Sequence, residues 1–170
     1  MGSRGTVHRF EVEGATLVVA RHPSESAERV VLRVLAKVLA PEPELELSSP
    51  GLCRGDEPAL AARRDDGSLA CWVEVGRPSV ARIERAARRA ETVRVVATDR
   101  DPGPRRVTLP RGRRLEQWRV SAELVAALAA GLARRERWSV RLEGERLVVE
   151  RGGERLEGTL ARSVAPAEDR

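Results

Sequence analysis

The 170-residue sequence has no tyrosine, one phenylalanine and three tryptophans, and it holds two cysteines, two histidines and a single lysine. Each scarcity closes a class of function. Cys53 and Cys71 with His8 and His22 are too few for a zinc finger, a Cys/His cluster or a disulfide framework, so a bound metal would be held by oxygen. Oxygen ligands point to Mg2+, Mn2+ or Ca2+. Phe10, Trp72, Trp118 and Trp138 are too few rings for a platform that stacks the bases of a single strand. No apolar run approaches the roughly 18 residues of a membrane span, and MGSRGTVHRF lacks the apolar stretch of a secretory leader. The expectation is a cytoplasmic protein with no membrane partner.

What the chain has in abundance is arginine. Its formal charge is +5, and with Lys37 the only lysine, arginine supplies every other side-chain positive charge. Such a balance favours an anionic partner such as nucleic acid. The same arginine, beside abundant Ala, Gly, Val and Leu, reads equally as a bias toward GC-rich codons. The length predicts one domain over 1–170, with an ordered core over about 5–163 that buries about 70% of the unfolded chain's surface without disulfide or metal.

TVHRFEVEG and ATLVVA read as two short strands around a Gly turn. RHPSESAERVVLRVLAKVLA reads as a helix that opens near Pro23 and Ser24 and stops at Pro41, with Val31, Val34, Val38 and Leu32, Leu35, Leu39 as a broad apolar stripe. ELELSS is a short strand. In the loop PGLCRGDEPALAARRDDGS, Asp56 followed by Pro58 is the order of a helix cap and an early helical proline, which predicts a helical turn. LACWVEVG predicts a strand and SVARIERAARRAETV a helix with Ile83, Ala86, Ala87 and Ala90 on one face. VRVVAT follows as a buried strand, so these three form a β-α-β unit of parallel neighbours with a right-handed crossover. Residues 99–116 carry three prolines and many arginines and read as a long exposed connection. QWRV predicts a strand, SAELVAALAAGLARR a helix capped by Ser121, and WSVRLEG, ERLVVERG and ERLEGTLA three strands between Gly turns, with SVAPAEDR as a frayed tail. The fold class is mixed α/β with antiparallel strands at both ends.

Three groups of acids could carry chemistry. Glu25 and Glu28 open the first helix, where acids favour the macrodipole and Glu25 pairs with Arg29 at i,i+4; Glu28 also shares a face with Leu32, Leu35 and Leu39 and so extends the buried stripe. Glu74 shares a strand face with Trp72 and Gly76. A carboxylate in an apolar strand must be paired, hydrogen-bonded, metal-bound or open to a cleft, because leaving it unsatisfied costs several kcal/mol. A salt bridge to an arginine is the plain alternative to a functional role. Asp56 reads alone as a turn or cap aspartate; with Glu74 it forms a split carboxylate pair able to hold Mg2+ or Mn2+ for phosphodiester chemistry.

VARHPSESAERVVLRVLAKVL, GLCRGDEPAL and CWVEVGRPSVARIERAARRAETV, in this order, resemble the YaeQ family of small bacterial proteins, and weaker likeness continues through the third helix and the last three strands. The resemblance implies a variant of the PD-(D/E)XK, or restriction-endonuclease-like, fold: a central mixed sheet flanked by helices. It places Asp56 and Glu74 at the metal-binding acid positions and Glu28 or Glu25 as the helix-borne acid. The implied activity is a divalent-metal-dependent nuclease or phosphodiesterase. Two departures stand out. The superfamily's lysine, two residues after the second acid, is Gly76 here, and a shorter Pro/Arg-rich segment occupies 99–116 where family members carry an additional helix. Arg85, with Arg82, could stabilise charge on a phosphate but could not act as a base, since guanidinium stays protonated. The rival reading is a catalytically inactive nucleic-acid-binding or protein-interaction module in which Arg105, Arg106, Arg111, Arg113 and Arg114 bind phosphates.

Overall fold

Alternation builds the first hairpin. In β1 (Thr6–Val12) the side chains of His8, Phe10 and Val12 are buried and those between them are not, and a two-residue turn of Glu13 and Gly14, both at positive φ, leads into β2 (Ala15–Arg21). Two left-handed residues match the twist of the flanking strands. The structure is a computed structural model that describes residues 5–48 and 56–166.

The first helix, α1 (Ala27–Val38), starts later than its sequence suggests, because Arg21 stays in β2 and residues 22–25 turn ahead of the true cap, Ser26, whose Oγ accepts the Arg29 N–H at 3.2 Å. Seven consecutive residues of α1, Val30 to Ala36, are buried. Two short strands follow, β3 (Glu46–Leu47) and β4 (Leu60–Arg63). The helical turn expected at Asp56–Pro58 is instead a turn leading into β4, since the Ala59 N–H donates to the Val73 carbonyl at 2.8 Å and sheet pairing takes the segment.

The β-α-β expectation holds: β5 (Leu69–Val75), α2 (Val80–Arg89) and β6 (Ala90–Thr98) place two parallel strands side by side, and β7 (Arg114–Val120) extends the parallel set. The helix ends earlier than predicted, with Ala90 already extended and paired opposite Leu69. The connection before β7 is not wholly exposed, because Val107 and Leu109 pack into the apolar cluster beneath α2. After α3 (Ala122–Ala129), the strands β8 (Arg135–Glu143), β9 (Arg146–Arg151) and β10 (Glu154–Pro166) run antiparallel. Residues 163–166, expected to fray, belong to β10, whose first part pairs with β9 and whose second pairs with β7. That strand joins the two halves of one ten-stranded sheet, in the order β2-β1-β8-β9-β10-β7-β6-β5-β4-β3.

The sheet separates two apolar layers. On one face α1 and α3 cover Cys71, Val73, Val75, Val96 and Trp118; on the other, Ile83, Ala86 and Ala87 of α2 cover Trp72, Val93, Val95 and Leu115. Ser121 does not cap α3 with its side chain. Its hydroxyl is used by Thr159, and the Asp99 carboxylate takes over, accepting the Ala122 N–H at 3.0 Å.

Candidate nucleic-acid interface

The parallel strands present two rows of side chains to the α2 face. Register aligns Glu74 with Val95 and Gln117, and two residues further along, where β5 has given way to Gly76, it aligns Ala97 with Arg119. Glu74 is buried, its side chain 4% exposed, and a single oxygen, Oε1, accepts two hydrogen bonds at 2.7 Å, from Trp72 Nε1 and from Arg82 Nε. The sequence required a partner for this carboxylate, and Arg82 on α2 is that partner.

The same helix draws Asp56 into the neighbourhood. Arg82 Nη2 donates to the Glu57 carbonyl at 2.7 Å and Arg89 Nη1 to the Asp56 carbonyl at 3.2 Å. Arg82 therefore stands between the turn carrying Asp56 and the Glu74 carboxylate. The Arg89 guanidinium also lies 5.1 Å from the Trp72 ring centre, a cation–π contact that fixes the ring donating to Glu74. Asp56 itself is exposed and makes no ion pair among the described residues. Among those residues no three His, Cys, Asp or Glu side chains are placed to share a metal ion. In this arrangement the cation beside Glu74 is a guanidinium.

The acids of α1 go elsewhere. Glu25 is clamped 3.3 Å from Arg33 Nε and 3.5 Å from Arg29 Nε, and it accepts the His22 N–H, which fixes the entry to α1. Arg29 then reaches across to the Val75 carbonyl at 2.6 Å, tying α1 to the end of β5. Glu28 does not extend the buried stripe: it is exposed in the first turn, where the helix has only just begun and clears the edge of the core.

The arginines form a more coherent picture than the acids. Thr108 N–H donates to Glu84 Oε1 of α2 at 2.9 Å, and with Val107 and Leu109 packed beneath, the connection lies alongside the helix. Exposed Arg105, Arg106 and Arg111, and half-buried Arg113, thereby share a surface with exposed Arg85 and Arg88. Arg114 is apart from them, as the first residue of β7, with Nη2 donating to Thr92 Oγ1 at 3.3 Å. Residues 77–114 hold twelve arginines against four acids, a net +8 in a chain of +5, so the rest of the protein is net −3.

Sequence reasoning missed Arg94. It is 1% exposed inside β6, bonded to both oxygens of Glu42 at 2.8 and 2.9 Å and to Glu116 at 2.7 Å, with its guanidinium 4.4 Å from the Trp118 ring centre. Burial works against its charge, but the bond to Glu42, the nearby Cys71 and the bond to Glu116 outweigh it and raise its pKa. The Arg94 hydrogen bond in turn holds Glu42 below the usual carboxylate range. A charged residue inside the apolar run VRVVAT was the available signal, the same kind that marked Glu74. Burial pushes the adjacent Cys71 thiol up to about 12, so it is no nucleophile. Cys53 lies outside the described residues.

These features define a mixed α/β sheet protein with a buried carboxylate locked by a helix arginine and a helix that exposes further arginines. A family model described as YaeQ protein matches residues 6–160, and the chain belongs to that family. It is 40% identical over 79 residues to the uncharacterized protein YaeQ of Escherichia coli (strain K12), covering 46% of this chain and 43% of the relative. With the corresponding Salmonella typhi protein it shares 39% identity over 83 residues, or 49% and 45% of the two chains. The chain thus spans less than half the length of these curated relatives. Among solved structures, the YaeQ protein from Pseudomonas syringae superposes with a TM-score of 0.79 at 25% identity, covering 92% of this chain and 94% of that one. The YaeQ protein from Xanthomonas axonopodis pv. citri gives a TM-score of 0.75 at 24% identity, over 96% and 99%, a likeness of fold alone.

Proposed function

We propose that this chain binds nucleic acid through the face formed by α2 and residues 105–113, acting as a cytoplasmic binding module. The concentration of positive charge there carries the reading: net +8 over 77–114, laid side by side by the Thr108–Glu84 bond and the packing of Val107 and Leu109. Arg85, Arg88, Arg105, Arg106 and Arg111 are exposed, so phosphates can reach them without unfolding anything. Arginine suits phosphate because its planar fork donates two parallel hydrogen bonds. Binding of a labelled duplex should weaken steeply with salt, with a log–log slope of about −5 if five or six phosphates are neutralised. Replacing Arg105, Arg106, Arg111 and Arg113 together by Gln should flatten that slope by about 3 to 4. An unchanged slope would refute the assignment.

A second reading, a divalent-metal-dependent nuclease of PD-(D/E)XK type, draws support from one arrangement: Asp56 sits just ahead of β4, Glu74 lies near the end of β5, and Arg82 bridges the two segments. Mg2+ or Mn2+ held by Asp56 and Glu74 would require Arg82 to withdraw. Arg85 could then meet the phosphate. Calorimetric titration of Mn2+ into the wild type and Glu74→Ala, each with and without an uncleavable duplex, tests it: binding that the substitution removes supports a metal site, and no binding in any arm refutes it.

A further inference from the structure

Beside the Glu74 row the sheet opens into a cleft of about 350 Å3 at the carboxyl ends of β5, β6 and β7. Gly76 and Ala97 line it from the ends of β5 and β6. Crevices beyond the carboxyl ends of parallel strands are where open α/β sheets take ligands, and this volume falls at the small end of such sites, which begin near about 300 Å3. Val95, Gln117 and Trp118 line it as well. Gly76 has φ +90°, a left-handed conformation that strains any residue with a Cβ, so the backbone itself keeps this position bare.

The walls differ in character from the rim. Pro78 and Val80 at the start of α2 face Pro102 and Pro104 from the following loop, giving two rigid apolar walls. Arg77 and Arg119 at the edge are committed to the Asp101 carboxylate and carbonyl, which fastens the loop beside the cleft. Arg105 is not committed: it is exposed, lines the cleft, and makes no hydrogen bond or ion pair among the described residues. The first turn of α2 adds no acid to oppose an anion. A ligand matching this cleft has a flat, largely apolar body that slides between the prolines and one anionic group that meets Arg105.

We infer that the cleft binds a nucleoside phosphate, its base and sugar seated between Pro78–Val80 and Pro102–Pro104 and its phosphate held by Arg105. The choice of a nucleotide among small organic anions rests on the nucleic-acid-binding reading; the match to an apolar body with an anionic end does not. The nucleotide unit is either a free mononucleotide or the splayed end of a strand, and both present the same chemistry.

Isothermal titration of AMP, GMP, CMP and UMP, with adenosine and inorganic phosphate as controls, tests this on the wild type, Val80→Trp and Arg105→Gln. Val80 is 38% exposed, so tryptophan there fills the mouth of the cleft from the surface, and Arg105 is exposed with no hydrogen bond or ion pair among the described residues to lose. At least one mononucleotide should bind about tenfold more tightly than adenosine or phosphate, with Val80→Trp removing binding and Arg105→Gln weakening it about tenfold toward the nucleoside value. A nucleotide no tighter than phosphate, or one that binds Val80→Trp unchanged, overturns the inference. A 5′-phosphorylated tetranucleotide that binds more tightly than the mononucleotide, with the same sensitivity to Val80→Trp, assigns the source to a strand end; equal binding assigns it to the free nucleotide. Salt-dependent duplex binding without any mononucleotide binding overturns the cleft and leaves the basic face standing. Nucleotide binding without duplex binding does the reverse.

Discussion

Replacing Arg82 by Met removes the one cation beside a buried carboxylate while keeping the length of the side chain. Glu74 is 4% exposed and receives Arg82 Nε at 2.7 Å, so the substitution leaves a buried charge whose one remaining partner among the described residues is the Trp72 N–H. Removing one partner of a buried pair costs about 3–5 kcal/mol. Arg82 is 21% exposed, which admits some water and puts the expected loss near the lower figure, with the lost bond to the Glu57 carbonyl adding about 1 kcal/mol. For a chain of this size that is a fall of roughly 6–16 °C in Tm, read by calorimetry at pH 7. Glu74→Gln in the same chain removes the unpaired charge and keeps an acceptor for Trp72, so the double variant should recover about 2 kcal/mol. If the double variant is no more stable than Arg82→Met, the loss was packing and the electrostatic argument is refuted. The single variant also decides the metal question. Mn2+ held by Asp56 and Glu74 at a hundred times its Kd would restore about 2.7 kcal/mol, most of the loss. A destabilised Arg82→Met that Mn2+ leaves unmoved both with and without the uncleavable duplex removes the nuclease reading.

Arg94→Met should cost about 3–5 kcal/mol at neutral pH, because Glu42 and Glu116 lose their shared cation. Since Arg94 holds Glu42 low, its contribution is present above the ordinary glutamate range near about 4.3 and is lost as pH falls through the depressed folded value, so denaturant unfolding should show the gap between wild type and variant closing in acid. In a Cys53→Ser background, Cys71 should resist a disulfide reagent at pH 8 while folded and react on unfolding, because burial holds its thiol near 12; rapid labelling of the native protein would contradict its place in the core. Asp99→Ala should cost about 1 kcal/mol and raise amide exchange at the start of α3, whereas Ser121→Ala should leave that helix cap intact.

Local pattern was legible wherever a residue's neighbours in sequence also decide its environment. The stripe of α1, the β5-α2-β6 unit and the need for a partner at Glu74 all follow from periodicity and desolvation. Where long-range pairing competes with local chemistry, it won. Asp56-Glu57-Pro58 has the order of a helix start, yet Ala59 and Leu60 pair with β5. Ser121 has the right type and place for a cap, yet Thr159 on β10 claims it and Asp99, over twenty residues earlier, does the capping. Val107 and Leu109 carried no periodicity, so nothing local revealed that they anchor the connection under α2. Of the candidate site, the residue types were readable and their placement was not: the connection carrying Arg105 is held to α2, which carries Arg85, by a bond from the Thr108 N–H to the Glu84 carboxylate that no spacing rule announces.

Two features at the end of β5 bear on the choice between the proposed binding role and its hydrolytic rival. Glu74 lies in β5 and Gly76 just past its end at φ +90°, so the alternation of faces along the strand no longer governs position 76. A Cβ at position 76 would meet Arg29 Nη1 of α1 at 3.6 Å, so a side chain there starts toward α1 rather than toward the α2 cleft, and the left-handed backbone disfavours any residue but glycine. The cation near the acid then comes from α2 as Arg82, a guanidinium that neutralises Glu74 permanently and never releases its proton. Under the proposed binding role a phosphate arriving at Arg85 or Arg105 meets fixed positive charge, whereas under the hydrolytic rival Arg82 must first leave Glu74.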